Sequence, residues 1–165
     1  MQVRTMFIIS GMATRRGAGI IRFVLAASAL LAVAGQVLGQ AHETKCANST
    51  VADAWGPKVA EQAKSFLAEL QKAVESSDAA KVARLVQYPV RIIGDGRQIK
   101  IAHQSDFIHK YSSIITPKVR AAILAQSAEC LFGNYQGMMI GDGQIWFQPE
   151  ASGQMRIITI NTDAP

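Results

Sequence analysis

The sequence predicts an α+β protein in which helices cover one antiparallel sheet. Residues 129–161 read as three long strands joined by two turns, and Gly141-Asp142-Gly143 has the composition of a tight hairpin turn. Upstream, apolar residues from Val59 to Val74 recur every three or four positions, which indicates an amphipathic helix of about five turns. Three strands cannot keep an apolar face in water, so the upstream elements are expected to cover that sheet.

The long helix is expected to begin at Pro57, because proline suits the first helical turn. Residues 76–78, Ser-Ser-Asp, end it and cap a second, shorter helix. The inner stripe of the second helix consists of Val82, Leu85 and Val86. Pro89 prevents this helix from continuing past Tyr88.

A second hairpin and two more helices follow in the sequence. Val90–Ile93 and Gln98–Ile101 flank a Gly-Asp-Gly turn at 94–96. Ser105 is the expected N-cap of a third helix, and Thr116-Pro117 begins a further helical segment that runs to about Gln126. The three closing strands then complete the chain.

The N-terminal segment, 1–41, has the pattern of a secretory signal peptide. Four arginines and no acidic residue precede Ala41, and an almost entirely apolar run covers 20–38. The densest apolar stretch, Phe23–Ala34, is short for a membrane span. We expect cleavage near Gly39–Ala41, with a cut after Ala34 and an uncleaved anchor as alternatives, and therefore a periplasmic or secreted protein without stable membrane insertion.

Removal of that segment changes the charge balance. Of the 17 lysines and arginines, 13 remain against 12 acidic residues, so the mature chain is close to neutral. A neutral surface without a basic stripe argues against nucleic-acid binding. Residues 42–56 are polar and irregular and are interpreted as a flexible lead-in to the domain at 57–163.

The order of elements resembles the nuclear-transport-factor-2-like superfamily. The resemblance is carried by an Asp-led short helix (DAAKVARLV), a strand (YPVRII), a GDG turn, a strand (QIKI) and a helix (SDFIHKY), and covers 57–161. It is similar to the SnoaL-like and ketosteroid-isomerase-like branches, as an exported bacterial member. Another α+β domain with helices on one antiparallel sheet is the alternative.

The resemblance implies a curved antiparallel sheet wrapped around the N-terminal helices, a cone-shaped, cystatin-like α+β roll with a cavity. The ketosteroid isomerase site uses a carboxylate base on an early strand. Here that strand offers Val90–Ile93, and the middle strands have apolar residues where an acid is needed: Met138, Met139, Ile145 and Phe147. This departure favours a non-enzymatic binding module for a small apolar ligand or a protein partner. The alternatives are an isomerase or hydratase of this fold and an inhibitor or immunity-type protein.

The candidate cavity residues couple an aromatic ring or an aliphatic stem to a polar tip. They are Tyr88, Arg91, Tyr111, Tyr135 and Trp146. The alternative for the four aromatic residues is that they are ordinary core residues. Arg91 either faces solvent or places a cation inside the cone. The outer sheet face or a sheet edge is a candidate homodimer interface, because Met138, Ile140, Ile145 and Phe147 exceed what one small cone holds.

The two cysteines, Cys46 and Cys130, are expected to form a disulfide in an oxidising compartment. A buried, unpaired Cys130 is the alternative. His42, His103 and His109 lack a third ligand at suitable spacing other than Asp106, so we expect no metal and no cofactor. No catalytic residue is assigned.

Overall fold

Within residues 49–165, which the computed structural model describes, helices and one six-stranded mixed sheet form an α+β fold. The α-helices are α1 (Val51–Trp55), α2 (Pro57–Glu75), α3 (Ala79–Arg84), α4 (Gln104–His109), α5 (Tyr111–Ile114) and α6 (Pro117–Ala125). One turn of 3-10 helix spans Ala128–Cys130. The strands are β1 (Val86–Gly94), β2 (Arg97–Ile101), β3 (Phe132–Asn134), β4 (Gly137–Ile140), β5 (Ile145–Pro149) and β6 (Met155–Asn161).

The strand order is β2-β1-β6-β5-β4-β3, and β1 and β6 run parallel, with Arg91 opposite Thr159. The prediction of a purely antiparallel sheet is therefore wrong. Turn residues specify antiparallel neighbours along the chain. The β1–β6 pair is instead set by the tertiary fold, which brings the last strand back beside the first. The pairing of β6 with this part of the chain begins one residue before β1, because Ile157 N–H donates to the carbonyl of Leu85 at 2.8 Å.

Helix α2 packs its apolar stripe against the sheet, as its sequence period predicts. The stripe is fully or nearly fully buried and comprises Ala60, Ala63, Phe66, Leu67, Leu70, Ala73 and Val74. The ring of Phe66 stacks on that of Phe147 from β5, with centroids 4.7 Å apart. Burying one such side chain contributes about 1.5–3 kcal/mol, so this contact is a main link between helix and sheet.

The β1–β2 hairpin confirms the expected turn chemistry. Asp95 and Gly96 both have positive φ, at 51° and 66°, and Gly94 pairs directly with Arg97. Two central residues of positive φ give the turn whose twist matches paired strands. Residue types that tolerate this conformation therefore fix the hairpin's register.

The interpretation of 42–56 as irregular is wrong for its last part, because Val51–Trp55 form helix α1. Gly56, at φ 84°, separates α1 from α2, and Val51 is 1% exposed. Five residues are too few to show a helical period. Tertiary hydrogen bonds hold this turn: Trp55 Nε1–H donates to the Asn134 carbonyl at 2.7 Å.

The closing segment contains four strands where three were predicted. A turn at Tyr135–Gln136 divides the first predicted strand into β3 and β4, and Asn134 Oδ1 accepts from Gln136 N–H at 2.8 Å. Cys130 lies in the preceding 3-10 turn and not at a strand start. Residues 134–137, Asn-Tyr-Gln-Gly, therefore have the composition of a turn that begins at an asparagine. The apolar residues on both sides made this segment look like part of one strand.

Two further predicted boundaries differ from the structure. The third helix begins at Gln104 with His103 as N-cap, so Ser105 is not the cap, and the helix is interrupted at Lys110. Val86, assigned to the inner stripe of the second helix, is the first residue of β1. By contrast, Thr116 Oγ1 accepts from Val119 N–H, as expected of the cap of α6.

The core lies between the helices and one face of the sheet. Met138, Ile140, Ile145 and Phe147 are all fully buried there, so the argument that they exceed the available interior is wrong. The described residues belong to one compact unit. Among them, no helix combines the length and apolar character needed to cross a lipid bilayer. The predicted signal peptide at 1–41 lies outside the described residues.

Candidate functional site

An open groove of about 880 Å³ runs between helix α2 and the start of strand β6. Its two walls belong to elements far apart in sequence, and the end of α3 closes one side. A groove of this volume is in the size range of small-molecule sites.

The wall from α2 is a polar stripe along one helix face. Its residues recur every three or four positions and therefore point the same way: Lys58, Glu61, Gln62, Ser65 and Glu69. Glu61 is also bound at 3.3 Å by Lys64, which reaches Glu129 at 3.2 Å. The helix thus buries one stripe in the core and presents an adjoining polar stripe to the groove.

Three apolar side chains line the groove and are almost completely buried. Phe66, Leu85 and Met155 are 5%, 6% and 6% exposed and come from α2, the residue after α3 and β6. Each is part of the main core, so each is fixed by packing on its other side. A ligand in the groove would meet preorganised apolar contacts between polar walls.

The groove also contains two arginines in different electrostatic situations, Arg156 on β6 and Arg84 at the end of α3. Arg156 Nε lies 3.5 Å from a carboxylate oxygen of Glu150, and its guanidinium also donates to the Gln154 side chain and to the Met155 carbonyl. Arg84 is exposed, and the ion pairs formed among residues 49–165 do not include it. Of the two arginines, Arg84 is therefore the one that is available to a ligand.

The turn between β5 and β6 is held in shape beside the groove. Glu150 N–H donates to the Gln154 carbonyl at 2.9 Å, and Gly153 N–H donates to the Glu150 carbonyl at 2.8 Å. Gly153 has φ +83°, and a Cβ added there would have nothing within 4 Å, so backbone conformation and not crowding favours glycine. Backbone hydrogen bonds therefore hold the turn that forms this end of the wall.

The sequence-predicted residues Tyr88 and Tyr111 lie outside this groove but share a neighbour. The Phe107 ring stands between them, with centroid distances of 6.4 Å to each ring. Tyr88 Oη–H donates to the Ala83 carbonyl at 3.0 Å, and burial raises the pKa of Tyr88 to about 12. Both tyrosines are packed against the core, in agreement with their alternative interpretation as ordinary core aromatics.

The hydroxyl of Tyr111 is buried and has no hydrogen-bond partner among the described residues. Burial raises the pKa of Tyr111, and the nearby charge of Arg120 partly opposes that rise. Arg120 itself donates to the carbonyls of Val74 and Glu75 at the end of α2. This corner is a helix-packing junction with one unsatisfied hydroxyl.

The other predicted residues lie on the sheet. Arg91 is exposed between buried Val90 and Ile92, so it faces away from the core, and Trp146 is half-buried on the same face. Tyr135 is 87% exposed in the β3–β4 turn. The structure thus brings Arg91 and Trp146 to one surface and leaves Tyr135 apart.

Neither the histidines nor the cysteines build a site among residues 49–165. No group of three or more His, Cys, Asp and Glu side chains there could hold a metal ion. His103 and His109 stand at the two ends of α4. Cys46 and His42 lie outside the described residues, so the Cys46–Cys130 disulfide stays a prediction.

Sequence reasoning did not identify the groove residues. The polar stripe of α2 has the pattern of the solvent side of any amphipathic helix, and Arg84 has that of an ordinary surface cation. The available signal is a core aromatic, Phe66, beside polar residues on one helix face: Gln62, Ser65 and Glu69. The opposing wall has no local signal, because only the tertiary fold brings Met155 and Arg156 to α2.

Comparison with known proteins gives no relative from which a role could be carried over. No protein-family model matches the chain, and no curated protein or solved structure matches it either.

Proposed function

We propose that this chain is an exported binding protein and that the groove between α2 and β6 holds its ligand. The observation that carries the proposal is the combination of a preformed apolar lining with polar walls in one open groove of about 880 Å³. Sites of this kind bind small molecules through apolar contact area and take orientation from a few polar groups.

The chemistry of the walls favours an amphipathic ligand with an acidic head. Phe66, Leu85 and Met155 offer contact to an aliphatic or aromatic body. Arg84 offers a guanidinium that can bind a carboxylate or sulfate through two parallel hydrogen bonds. This differs from the small apolar cavity expected from the sequence, because the groove walls include charged side chains of both signs.

The cone-shaped roll of nuclear-transport-factor-2-like proteins is part of this proposal. It is supported by the succession of α2, α3, the β1–β2 hairpin, α4–α6 and β3–β6, which is the order on which the resemblance depends. It is also supported by register shifts in the pairings of β6 with β1 and with β5. Such irregularities bend and twist strands, as a curled sheet requires.

The test measures binding of dodecanoate and of dodecyltrimethylammonium by isothermal titration calorimetry. We expect dodecanoate to bind and Arg84→Glu to weaken it at least tenfold, because a charge-assisted hydrogen bond contributes about 1.5–3 kcal/mol. Lys118→Glu, an equal charge reversal on α6, is the matched control and should leave dodecanoate binding unchanged. Equal binding of the cationic surfactant would contradict the acidic-head assignment.

A second pair of variants tests the location. Ser65→Trp places a large side chain in the groove from α2, whereas Ala68→Trp places it on another face of the same helix. Only Ser65→Trp should abolish binding. If both variants bind dodecanoate like the parent chain, the ligand site is elsewhere. Native mass spectrometry of the exported protein would then identify what co-purifies with it.

A further inference from the structure

A continuous row of side chains crosses all six strands on the face of the sheet that points away from the helices. Cross-strand partners lie on the same face of a sheet, so the pairings define the row. In spatial order across the sheet it runs Lys100, Arg91, Thr159, Trp146, Met139, Phe132.

Burial of the flanking residues shows which way the row points. Met138 and Ile140 on both sides of Met139 are fully buried, as are Ile145 and Phe147 on both sides of Trp146. Since side chains alternate along a strand, Met139 and Trp146 belong to the opposite face. Phe132 at the end of the row is 41% exposed, which is unusual for a phenylalanine.

The row has two chemically different halves. Lys100 and Arg91 are exposed cations on the adjacent strands β2 and β1. The other half is apolar and aromatic: Trp146, Met139 and Phe132. Thr159 lies between the halves and is 7% exposed.

The charge on this sheet has a single sign. The six strands contain four basic residues, Arg91, Arg97, Lys100 and Arg156, and no Asp or Glu. Arg156 is paired with Glu150, and Arg97, three residues from Lys100 on β2, belongs to the opposite face of the sheet. Arg91 and Lys100 therefore supply the uncompensated charge of the face. In contrast, helix α2 carries both signs, as in the Lys64–Glu61 pair.

We propose that this face, the Lys100–Phe132 row, docks on an anionic lipid surface. Cations beside an aromatic and apolar patch, on strands without Asp or Glu, complement lipid phosphates and the interfacial region below them. Tryptophan suits that region because its ring is apolar and its N–H can be hydrated. The row does not include the groove residues, so this surface acts independently of the proposed ligand site.

The experiment is co-sedimentation of the purified chain with phosphatidylcholine vesicles that contain or lack phosphatidylglycerol. We expect binding to the phosphatidylglycerol vesicles only, weakened by added salt. Arg91→Glu/Lys100→Glu should lower the bound fraction at least tenfold, and Arg91→Gln/Lys100→Gln should give an intermediate loss. Phe132→Ser should also weaken binding, because the apolar half contributes contact area.

The matched control is Lys72→Glu/Lys118→Glu, which makes the same change of net charge on α2 and α6 and should bind like the parent chain. Equal loss in this control, or equal binding to neutral vesicles, overturns the proposal. The proposal is also overturned if the chain binds single-stranded DNA and does not bind the vesicles. If the chain does not bind vesicles but forms a dimer, and Arg91→Glu/Lys100→Glu dissociates that dimer, the face binds a second copy of the chain instead.

Discussion

Asp163 shows how one carboxylate can fix a turn that is distant in sequence. Its two oxygens accept from Asp95 N–H at 3.0 Å and Gly96 N–H at 3.1 Å, both in the β1–β2 turn. These backbone hydrogen bonds, with Gly96 the larger cause, hold the pKa of Asp163 below its ordinary value. A lowered folded-state pKa means that the carboxylate stabilises the fold above the unfolded pKa of about 3.9, and that this contribution is lost as pH falls through the folded pKa.

We therefore expect Asp163→Asn to lower the urea midpoint at pH 7 and to have a smaller effect near pH 3, because below the unfolded pKa of about 3.9 the parent chain already loses part of this contribution. Urea unfolding curves at both pH values measure this. Asp142→Asn is the control, because Asp142 occupies the second Gly-Asp-Gly turn and its carboxylate accepts no hydrogen bond from a described residue. An equal loss in both variants, or a pH-independent loss at Asp163, would contradict this role.

At the residue scale, the sequence predicted what local chemistry decides. Asp78 and Thr116 cap helices because their side chains reach backbone N–H groups three residues ahead. The positive φ of Asp95 and Gly96 follows from residue type. The carboxylate of Asp163 was not predictable, because its partners lie 67 and 68 residues away. Arg84 was not predicted as a groove residue for a similar reason, because most of the other groove residues belong to elements that are distant from it in sequence.

At the scale of elements, helix α1 protects the exposed edge of strand β3. Thr50 Oγ1 donates to the Gly133 carbonyl at 2.9 Å and accepts from Gly133 N–H at 2.9 Å. A Cβ added at Gly133 would lie 2.9 Å from the Val51 Cα, so helix and strand are in close contact. The outer backbone groups of an edge strand otherwise invite pairing with another chain.

Thr50→Val keeps the side-chain shape and removes both hydrogen bonds. Because Gly133 is buried, its unpaired backbone groups should cost about 1–3 kcal/mol in the free energy of unfolding. Urea denaturation measures this, and Thr50→Ser, which retains the hydroxyl, should recover most of the loss. An unchanged midpoint in Thr50→Val would show that water replaces the hydroxyl, and α1 would then not be the edge cover.

Element prediction succeeded where the signal was long and periodic. Helix α2 follows from its apolar period and its N-terminal proline, and the β1–β2 hairpin follows from its turn. The structure confirms both. Helix α1 has five residues, and the β3–β4 turn lies inside an apolar run, so tertiary contacts decide both. The parallel pairing of β1 with β6 has no local signal at all.

At the scale of the whole molecule, the proposed Cys46–Cys130 disulfide would join the segment before α1 to the start of the closing sheet. Ser49 N–H donates to the Glu129 carbonyl at 3.1 Å, so the chain three residues after Cys46 lies beside the neighbour of Cys130. Three residues span at most about 10–11 Å. The Cα separation of about 7 Å or less that a disulfide needs is therefore within reach of Cys46.

The bond would close a loop of about 85 residues, for which the chain-entropy model gives about 4–5 kcal/mol as an upper figure. We expect thiol titration of the unfolded, non-reduced protein to find no reactive thiol. Reductant should lower the urea midpoint of the parent chain and should leave a Cys46→Ser/Cys130→Ser variant unaffected, since that variant already lacks the bond. Two reactive thiols per chain before reduction would refute the pairing. The hydrogen bonds of Ser49 and Thr50 to Glu129 and Gly133 would then be the contacts that hold the segment before α1 against the sheet edge.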